Sequence, residues 1–307
     1  MTTGAIIVAV DFSGQGESIS PMHPAGTISV AQRMIASFQR AGISCIAVVT
    51  DCDAKKLWRH LSQKGVIFLK AEKNQATNLF QCMRVGLDYM QKSFDRVLVT
   101  PGNIPLFLPK TVETLLASDK EITIPTYKNQ DGYPVLLSGN GISEILNNQE
   151  AASLESAIFQ SAASKEHISV NDSGILKHTN TLKNCSKQIV MHNRQLTRPV
   201  FGVSLNHGKP FFDSKIVNLL HLVDETHSVR LACDLVQISY SSAWNMLNSA
   251  EDELGYSLIS RTRGGSVGSK SILTEKGRKL MNTYDKFEAD LKQNVETLYD
   301  KYFFDMF

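Results

Sequence analysis

Residues 238–278 read ISYSSAWNMLNSAEDELGYSLISRTRGGSVGSKSILTEKGR, and this stretch decides the fold of the C-terminal third. Ser239 stands where a side-chain oxygen caps a helix over 240–254, and Gly255 stands where that helix must stop. Upstream, Ile216, Leu219, Leu220 and Val223 make a helical stripe over 214–224, and 229–235 predicts a second short helix. Residues 237–239 then form the turn of a helix-turn-helix. Beyond Gly255 come Leu258 and Ile259, a glycine-rich basic ribbon over 261–270, a strand-like 271–274 and a long last helix. Helix, turn, helix, ribbon and long helix in that order predict a winged helix-turn-helix.

The start of the second helix carries Ser239, Tyr240, Ser241, Ser242, Asn245 and Asn248, hydrogen-bonding groups suited to base edges and phosphates in a major groove. Ala243, Trp244 and Leu247 are expected to face the core. Arg261, Arg263 and Lys270 on the ribbon, with Lys276 and Arg278 opening the last helix, are placed to meet phosphates. Such contacts add affinity without sequence information. Any one of these cations alone reads equally as a solvated surface; their ordered combination points to double-stranded DNA. From Leu280, apolar residues recur at Tyr284, Phe287, Leu291, Val295, Leu298 and Tyr302, in steps of three and four like a heptad seam. Such a seam predicts a homodimer, whose two-fold axis suits a palindromic operator. Packing of the stripe on its own domain is the alternative.

Residues 220–228, 238–244, 261–268 and 273–278 together resemble the DNA-binding domain of the molybdate-responsive regulators and of LysR-type regulators. His227 stands where that family has Gly, and Ser241 where it often has Lys or Arg.

Outward from this region the chain changes character. Strand-like runs at 5–10, 44–50, 66–70, 96–100 and 121–125 alternate with helical patterns at 28–41, 54–64, 74–92 and 109–118. That alternation predicts an α/β fold: a doubly wound, mostly parallel sheet covered on both faces, with ligands at the C-terminal ends of its strands. Residues 128–132 read as a polar turn. Domains are expected at 1–182 and 211–307, with 183–210 as a connector holding short β-like pieces. A chain of 307 residues is long enough for two cores. Its net charge of only +2 means that any DNA affinity comes from a local patch. The five cysteines are scattered with no Cys-x-x-Cys pair, which favours a reducing compartment over a disulfide framework or zinc site. With no basic leader before the first strand and no apolar run of about 20 residues, the expectation is a cytoplasmic protein with no membrane contact.

The first half resembles the MobA-like nucleotidyltransferases, which join a nucleotide to molybdopterin. The resemblance covers about residues 4–182. It rests on the strand at 6–10, the loop with Gly14 and Gly16, Pro21-Met22-His23-Pro24-Ala25-Gly26, Val48-Val49-Thr50, Pro101-Gly102-Asn103-Ile104-Pro105-Leu106, Pro125-Thr126-Tyr127 and Gly132-Tyr133-Pro134-Val135. In that family a glycine loop with cations holds the triphosphate and carboxylates hold Mg²⁺. Here residues 1–32 contain no Lys or Arg, and Asp11 occupies the region of the family's first loop glycine. Asn103 stands in place of the expected metal-binding Asp. Gly174-Ile175-Leu176-Lys177-His178-Thr179-Asn180-Thr181 matches a motif in which His178 and Asn180 replace two carboxylates. Mg²⁺ is a hard ion that wants charged oxygens, so these positions are degenerate for catalysis. No metal site is expected, and no cofactor unless the domain is active, when it would need Mg²⁺ and an NTP.

The expected function is therefore a DNA-binding transcription regulator. Its N-terminal domain would sense a small-molecule effector (a nucleotide, a molybdopterin-type cofactor or an oxyanion) at Asp11, Gly14, Gly16, Asp51 and Asn103. The alternative is an active NTP:molybdopterin nucleotidyltransferase with a DNA-binding appendage, its metal on Asp11, Asp51 or Asp53; for the last two, turn capping is the competing role.

Overall fold

The computed structural model describes residues 1–10, 21–50, 55–61, 65–72, 78–262 and 270–303. They fall into two compact units that divide between Thr197 and Arg198.

In the N-terminal unit the order is β1 (Thr3–Val8), β2 (Pro24–Ala25), β3 (Ile28–Ser29), α1 (Val30–Arg40), β4 (Cys45–Thr50), α2 (Lys55–Leu61), β5 (Val66–Lys70), α3 (Leu79–Met90), β6 (Arg96–Pro101), α4 (Pro109–Leu116) and β7 (Ile122–Tyr127). Then follow β8 (Gln130–Asp131), β9 (Val135–Ser138), α5 (Gly139–Asn147), α6 (Leu154–Gln160), β10 (Lys165–Ser169), two 3-10 turns (Ser173–Leu176 and Thr179–Asn184) and α7 (Ser186–Leu196). The sheet order is β10-β7-β9-β6-β1-β4-β5, with β8 also paired to β7. All neighbours along that order run parallel except at β9, which is antiparallel to both β6 and β7. Ile6, Ile7, Val48, Val49, Val97 and Val99 have no exposed surface, as expected of strands covered on both faces.

Local chemistry sets the element ends. Ser29 Oγ accepts from the Gln32 amide at 3.3 Å, and Gln32 Oε1 accepts from the Ser29 amide at 3.0 Å. This capping box starts α1 two residues later than the apolar pattern implied. Lys128 and Asn129 form the two-residue turn between β7 and β8 with φ of 51° and 62°, the left-handed pair that a tight hairpin needs.

Residues 183–210, expected from sequence as a connector with short β-like pieces, contain regular elements. They hold α7 and much of a hairpin. The inward face of α7 is Ile189, His192 and Leu196, with Ile189 packed on the core and partly buried, while Val190 and Met191 are exposed. A histidine in the middle of that face interrupts the apolar period and weakens the helical signal.

In the C-terminal unit the hairpin of β11 (Ser204–His207) and β12 (Lys209–Asp213) leads into α8 (Ser214–Thr226), α9 (Val229–Val236), α10 (Tyr240–Leu254), β13 (Ile259–Thr262), β14 (Lys270–Leu273) and α11 (Glu275–Phe303). Asp213, Ser228 and Ser239 cap the three short helices, each accepting from backbone amides of the first turn. The same helices end on His227, Gln237 and Gly255 in left-handed conformations, with φ of 53°, 57° and 70°. Phe212, Leu219, Leu220, Val223, Ala243, Leu247 and Leu258 are fully buried and form the core. β13 and β14 pair antiparallel from Ile259↔Leu273 to Thr262↔Lys270, the stem of a wing. Ser271 N donates to the His227 carbonyl at 3.0 Å, which fastens that stem to the end of α8. No helix among the described residues is long and apolar enough to cross a membrane.

Candidate functional site

Two sites carry the chemistry. The first is the edge of the N-terminal sheet where β1 and β6 end. The Gly102 amide donates to the Val8 carbonyl at 2.7 Å, and a Cβ at Gly102 would stand 2.5 Å from that same oxygen. Glycine is thus required for β6 to turn away over the end of β1. The turn brings Asn103 to the surface, and its carbonyl accepts from the Thr179 amide at 2.8 Å. His178 and Asn180 flank that contact and are exposed as well. The three positions expected to have lost their carboxylates therefore lie on two adjoining loops at one edge.

Asp172, which sequence reasoning missed, fixes those loops to one another. Its Oδ2 accepts from the Leu108 amide at 2.8 Å and from Thr111 Oγ1 at 2.7 Å; its Oδ1 accepts from the Gly174 amide at 2.8 Å. A Cβ at Gly174 would lie 1.9 Å from the Leu106 carbonyl oxygen, so the approach tolerates only glycine. Burial pushes the Asp172 carboxyl above its ordinary range, against three hydrogen bonds that favour its ionised form. Its oxygens are taken up internally and unavailable to an ion at the edge. Asp172 leaves a faint sequence signal, an Asx residue ahead of Ser-Gly that reads as a local cap.

Arg33 and His192 were missed too. Both are buried, Arg33 completely. Arg33 Nη1 donates to His192 Nδ1 at 2.9 Å, and His192 Nε2 donates to the Phe107 carbonyl at 2.9 Å. Desolvation lowers Arg33 to about 10 and His192 to about 4, so at neutral pH the imidazole is uncharged beside a charged guanidinium.

Asn103, His178 and Asn180 form a poor donor set for Mg²⁺, which is bound through charged oxygens. No group of three metal-ligating side chains occurs among the described residues. Asp11, Gly14, Gly16, Asp51 and Asp53, the other expected ligand residues, lie outside the described residues.

The second site is the winged helix. Along α10, Ser241, Ser242, Asn245 and Asn248 are exposed, and Tyr240 is half exposed. Ala243 and Leu247 are buried and Trp244 is partly covered, its ring edge-on to Tyr240 at 6.0 Å. Ser239 Oγ accepts from the Ser242 amide at 3.0 Å and lies 2.7 Å from Ser242 Oγ, so its role is the cap. α10 contains no Lys or Arg. Glu251, near its end, accepts from the Leu258 amide at 2.6 Å and the Ile259 amide at 3.2 Å, which seats the first wing strand.

The expected cations divide by environment. Lys270 is exposed on β14. Lys276 lies 5.1 Å from the centre of the Tyr256 ring. Arg278 makes a two-pronged ion pair with Asp224 of α8, which raises its pKa further. Arg278 is thereby a brace between α8 and α11. Arg263 lies outside the described residues, and Arg261 is placed by its backbone alone.

The seam on α11 also divides. Tyr284 is buried, donates to the Val203 carbonyl at 2.7 Å and meets Phe212 edge-on at 5.6 Å. Farther along, Phe287, Leu298 and Tyr302 are 48%, 51% and 61% exposed. The first turns of the helix pack on their own unit, and the remainder presents an apolar strip.

Residues 20–166 match the MobA-like NTP transferase domain family. The N-terminal fold is similar to a homologue of the Mycobacterium tuberculosis rv0371c protein from Mycobacterium sp. strain JC1 (TM-score 0.52, 14% identity, 62% of this chain and 97% of that one). A nucleotidyl transferase from Methanothermobacter thermautotroptrophicus aligns equally well (TM-score 0.52, 13% identity, 62% and 98%). The C-terminal part matches the transcriptional regulator ModE of Yersinia pestis, 31% identical over 90 residues, which are 29% of this chain and 34% of that protein. It also matches the molybdenum transport protein ModE of Azotobacter vinelandii, 26% identical over 94 residues, 31% of this chain and 34% of that one. The chain thus spans about a third of the length of the curated relatives it matches. It carries a MobA-like NTP transferase domain at residues 20–166 and, toward its C-terminus, a segment homologous to ModE-type regulators.

Proposed function

We propose that this protein is a DNA-binding transcription regulator whose N-terminal unit senses a ligand instead of catalysing. The observation that carries the sensor half is the Thr179 to Asn103 bond, which gathers Asn103, His178 and Asn180 at the sheet edge. At these three positions, among the described residues, that edge has transferase shape without the carboxylates of a transferase. Electrostatic stabilisation is the main catalytic contribution in phosphoryl chemistry, so amides and an imidazole at Asn103, Asn180 and His178 suit binding better than turnover. The ligand class is a nucleotide, a molybdopterin-type cofactor or an oxyanion.

The DNA half is supported by the capped α10 with its polar outer face, by the wing stem and by homology to ModE proteins. Ser241, Ser242, Asn245 and Asn248 read base edges, while Arg261, Arg263, Lys270 and Lys276 hold phosphates. Two copies join along the exposed strip of α11. A ligand alters DNA affinity by favouring one arrangement of the protein over another.

The transferase-family match favours a second reading, an NTP:molybdopterin nucleotidyltransferase using Asp11 or Asp51. Incubation with each NTP, Mg²⁺ and molybdopterin separates the two. No pyrophosphate release is expected. Release at an enzymatic rate that Asp11→Asn or Asp51→Asn abolishes overturns the sensor reading. A mobility-shift assay with genomic duplex fragments at low salt tests the DNA half, and failure to retard any fragment refutes it.

A further inference from the structure

The peptide joining Phe107 to Leu108 is held on both sides. Its carbonyl accepts from His192 Nε2 at 2.9 Å and from Ser37 Oγ at 3.1 Å; its amide donates to Asp172 Oδ2 at 2.8 Å. This peptide closes the segment that carries Asn103. Arg33 extends the network. Its Nη1 donates to His192 Nδ1 at 2.9 Å, its Nη2 donates to the Ala25 carbonyl on β2, and its Nε has no partner. The groups it does touch are neutral.

A buried guanidinium without a carboxylate is a costly way to stabilise a fold, and an apolar side chain of similar volume usually does better. What the guanidinium supplies is a rigid fork that joins acceptors on separate segments. Here the fork joins the β2–β3 hairpin to α7, and His192 joins α7 to the segment of Asn103. We propose that Arg33 and His192 are positioning residues that make the hairpin, the Asn103 segment and α7 one mechanical body. α7 ends at Leu196, and the chain enters the C-terminal unit at Arg198. A ligand that shifts the sheet edge therefore shifts the segment leading into the winged helix. This purpose rests on the sensor reading; the mechanical linkage does not, and it is tested without DNA or ligand.

The test is hydrogen exchange on the full chain. In Arg33→Met, peptides covering 186–196 are expected to exchange about tenfold faster than in the wild type, the effect of losing a net hydrogen bond or two. Peptides of β1 and β4 should keep their wild-type rates. His192→Gln, whose amide can both accept from Arg33 and donate to Phe107, should retain wild-type protection, while His192→Leu should behave like Arg33→Met. Wild-type exchange of α7 in Arg33→Met overturns the proposal, and so does acceleration of α7 and the central strands together. If Arg33→Met does not fold, the contrast between the two His192 variants decides on the same criteria.

Discussion

His227 and Gln237 occupy left-handed backbone positions, φ 53° and 57°, at the ends of α8 and α9. An L-residue with a Cβ is strained there, and glycine is relieved of that strain. The family's glycine at the first of these positions now has its physical reason. His227→Gly is expected to stabilise the C-terminal unit by about 1 kcal/mol, the strain removed less the extra entropy of the unfolded chain. Denaturant melts of the two proteins check it, and an unchanged or lower midpoint counts against it. A second residue-scale effect belongs to His192, whose neighbours are Ser37, the Phe107 carbonyl and the charged Arg33. Its pKa is about 4 when folded against an ordinary 6.5. The unfolded chain therefore takes up a proton first as pH falls. The stability tied to the neutral ring is complete above about pH 6.5, declines from there to about pH 4, and then levels off, a change on the order of 3 kcal/mol. Unfolding free energies at several pH values should show that decline in the wild type and lack it in His192→Gln, which separates it from the titration of carboxylates.

At the scale of elements, α11 is the unusual one. Its 29 residues begin on the C-terminal core and then leave it, carrying Phe287, Leu298 and Tyr302 into solvent. Gly277, near its start, is fixed by geometry: a Cβ there would lie 2.4 Å from the Leu258 carbonyl oxygen. In the proposed function, this helix, braced at one end and carrying exposed apolar side chains farther along, is where a second copy would join. Phe287→Glu with Leu298→Glu should convert a sedimenting dimer to a folded monomer, because these side chains are exposed in their own chain. A wild-type protein that already sediments as a monomer at micromolar concentration removes the idea. Elements with apolar periods or caps were legible in the sequence. Ser239, Gly255 and the stripe of α8 placed the winged helix, and the β-α alternation placed the sheet. α7 was not legible, because His192 interrupts the stripe of Ile189 and Leu196 and exposed Val190 and Met191 blur it further. The network around the Phe107 carbonyl was hidden for a related reason: Ser37, Asp172 and His192 are far apart in sequence and meet only after folding. Asn103, His178 and Asn180 could be picked out as substitutions in a motif, but only the fold places their loops against each other.

Across the whole molecule, charge is distributed by role and not by amount. A net charge of +2 provides no global attraction for DNA, so binding depends on where the cations sit. Of the proposed phosphate contacts, Lys270 is exposed on β14 and Lys276 stands at the start of α11, while Arg278 makes a two-pronged ion pair with Asp224. That difference can be measured, because each cation that meets a phosphate releases counter-ions and steepens the dependence of affinity on salt. With Arg261, Arg263, Lys270 and Lys276 engaged, the slope of log K against log salt should be roughly −4 for one copy and roughly −7 for a dimer. Lys270→Ala should flatten the dimer slope by about 2, one phosphate per copy. Arg278→Ala should leave the slope nearly unchanged, since its charge is spent within the protein, and should instead lower the unfolding midpoint by loosening α8 from α11. If Arg278→Ala flattens the slope as much as Lys270→Ala does, the guanidinium leaves Asp224 for the duplex, and the ion pair is then a switch released on DNA binding.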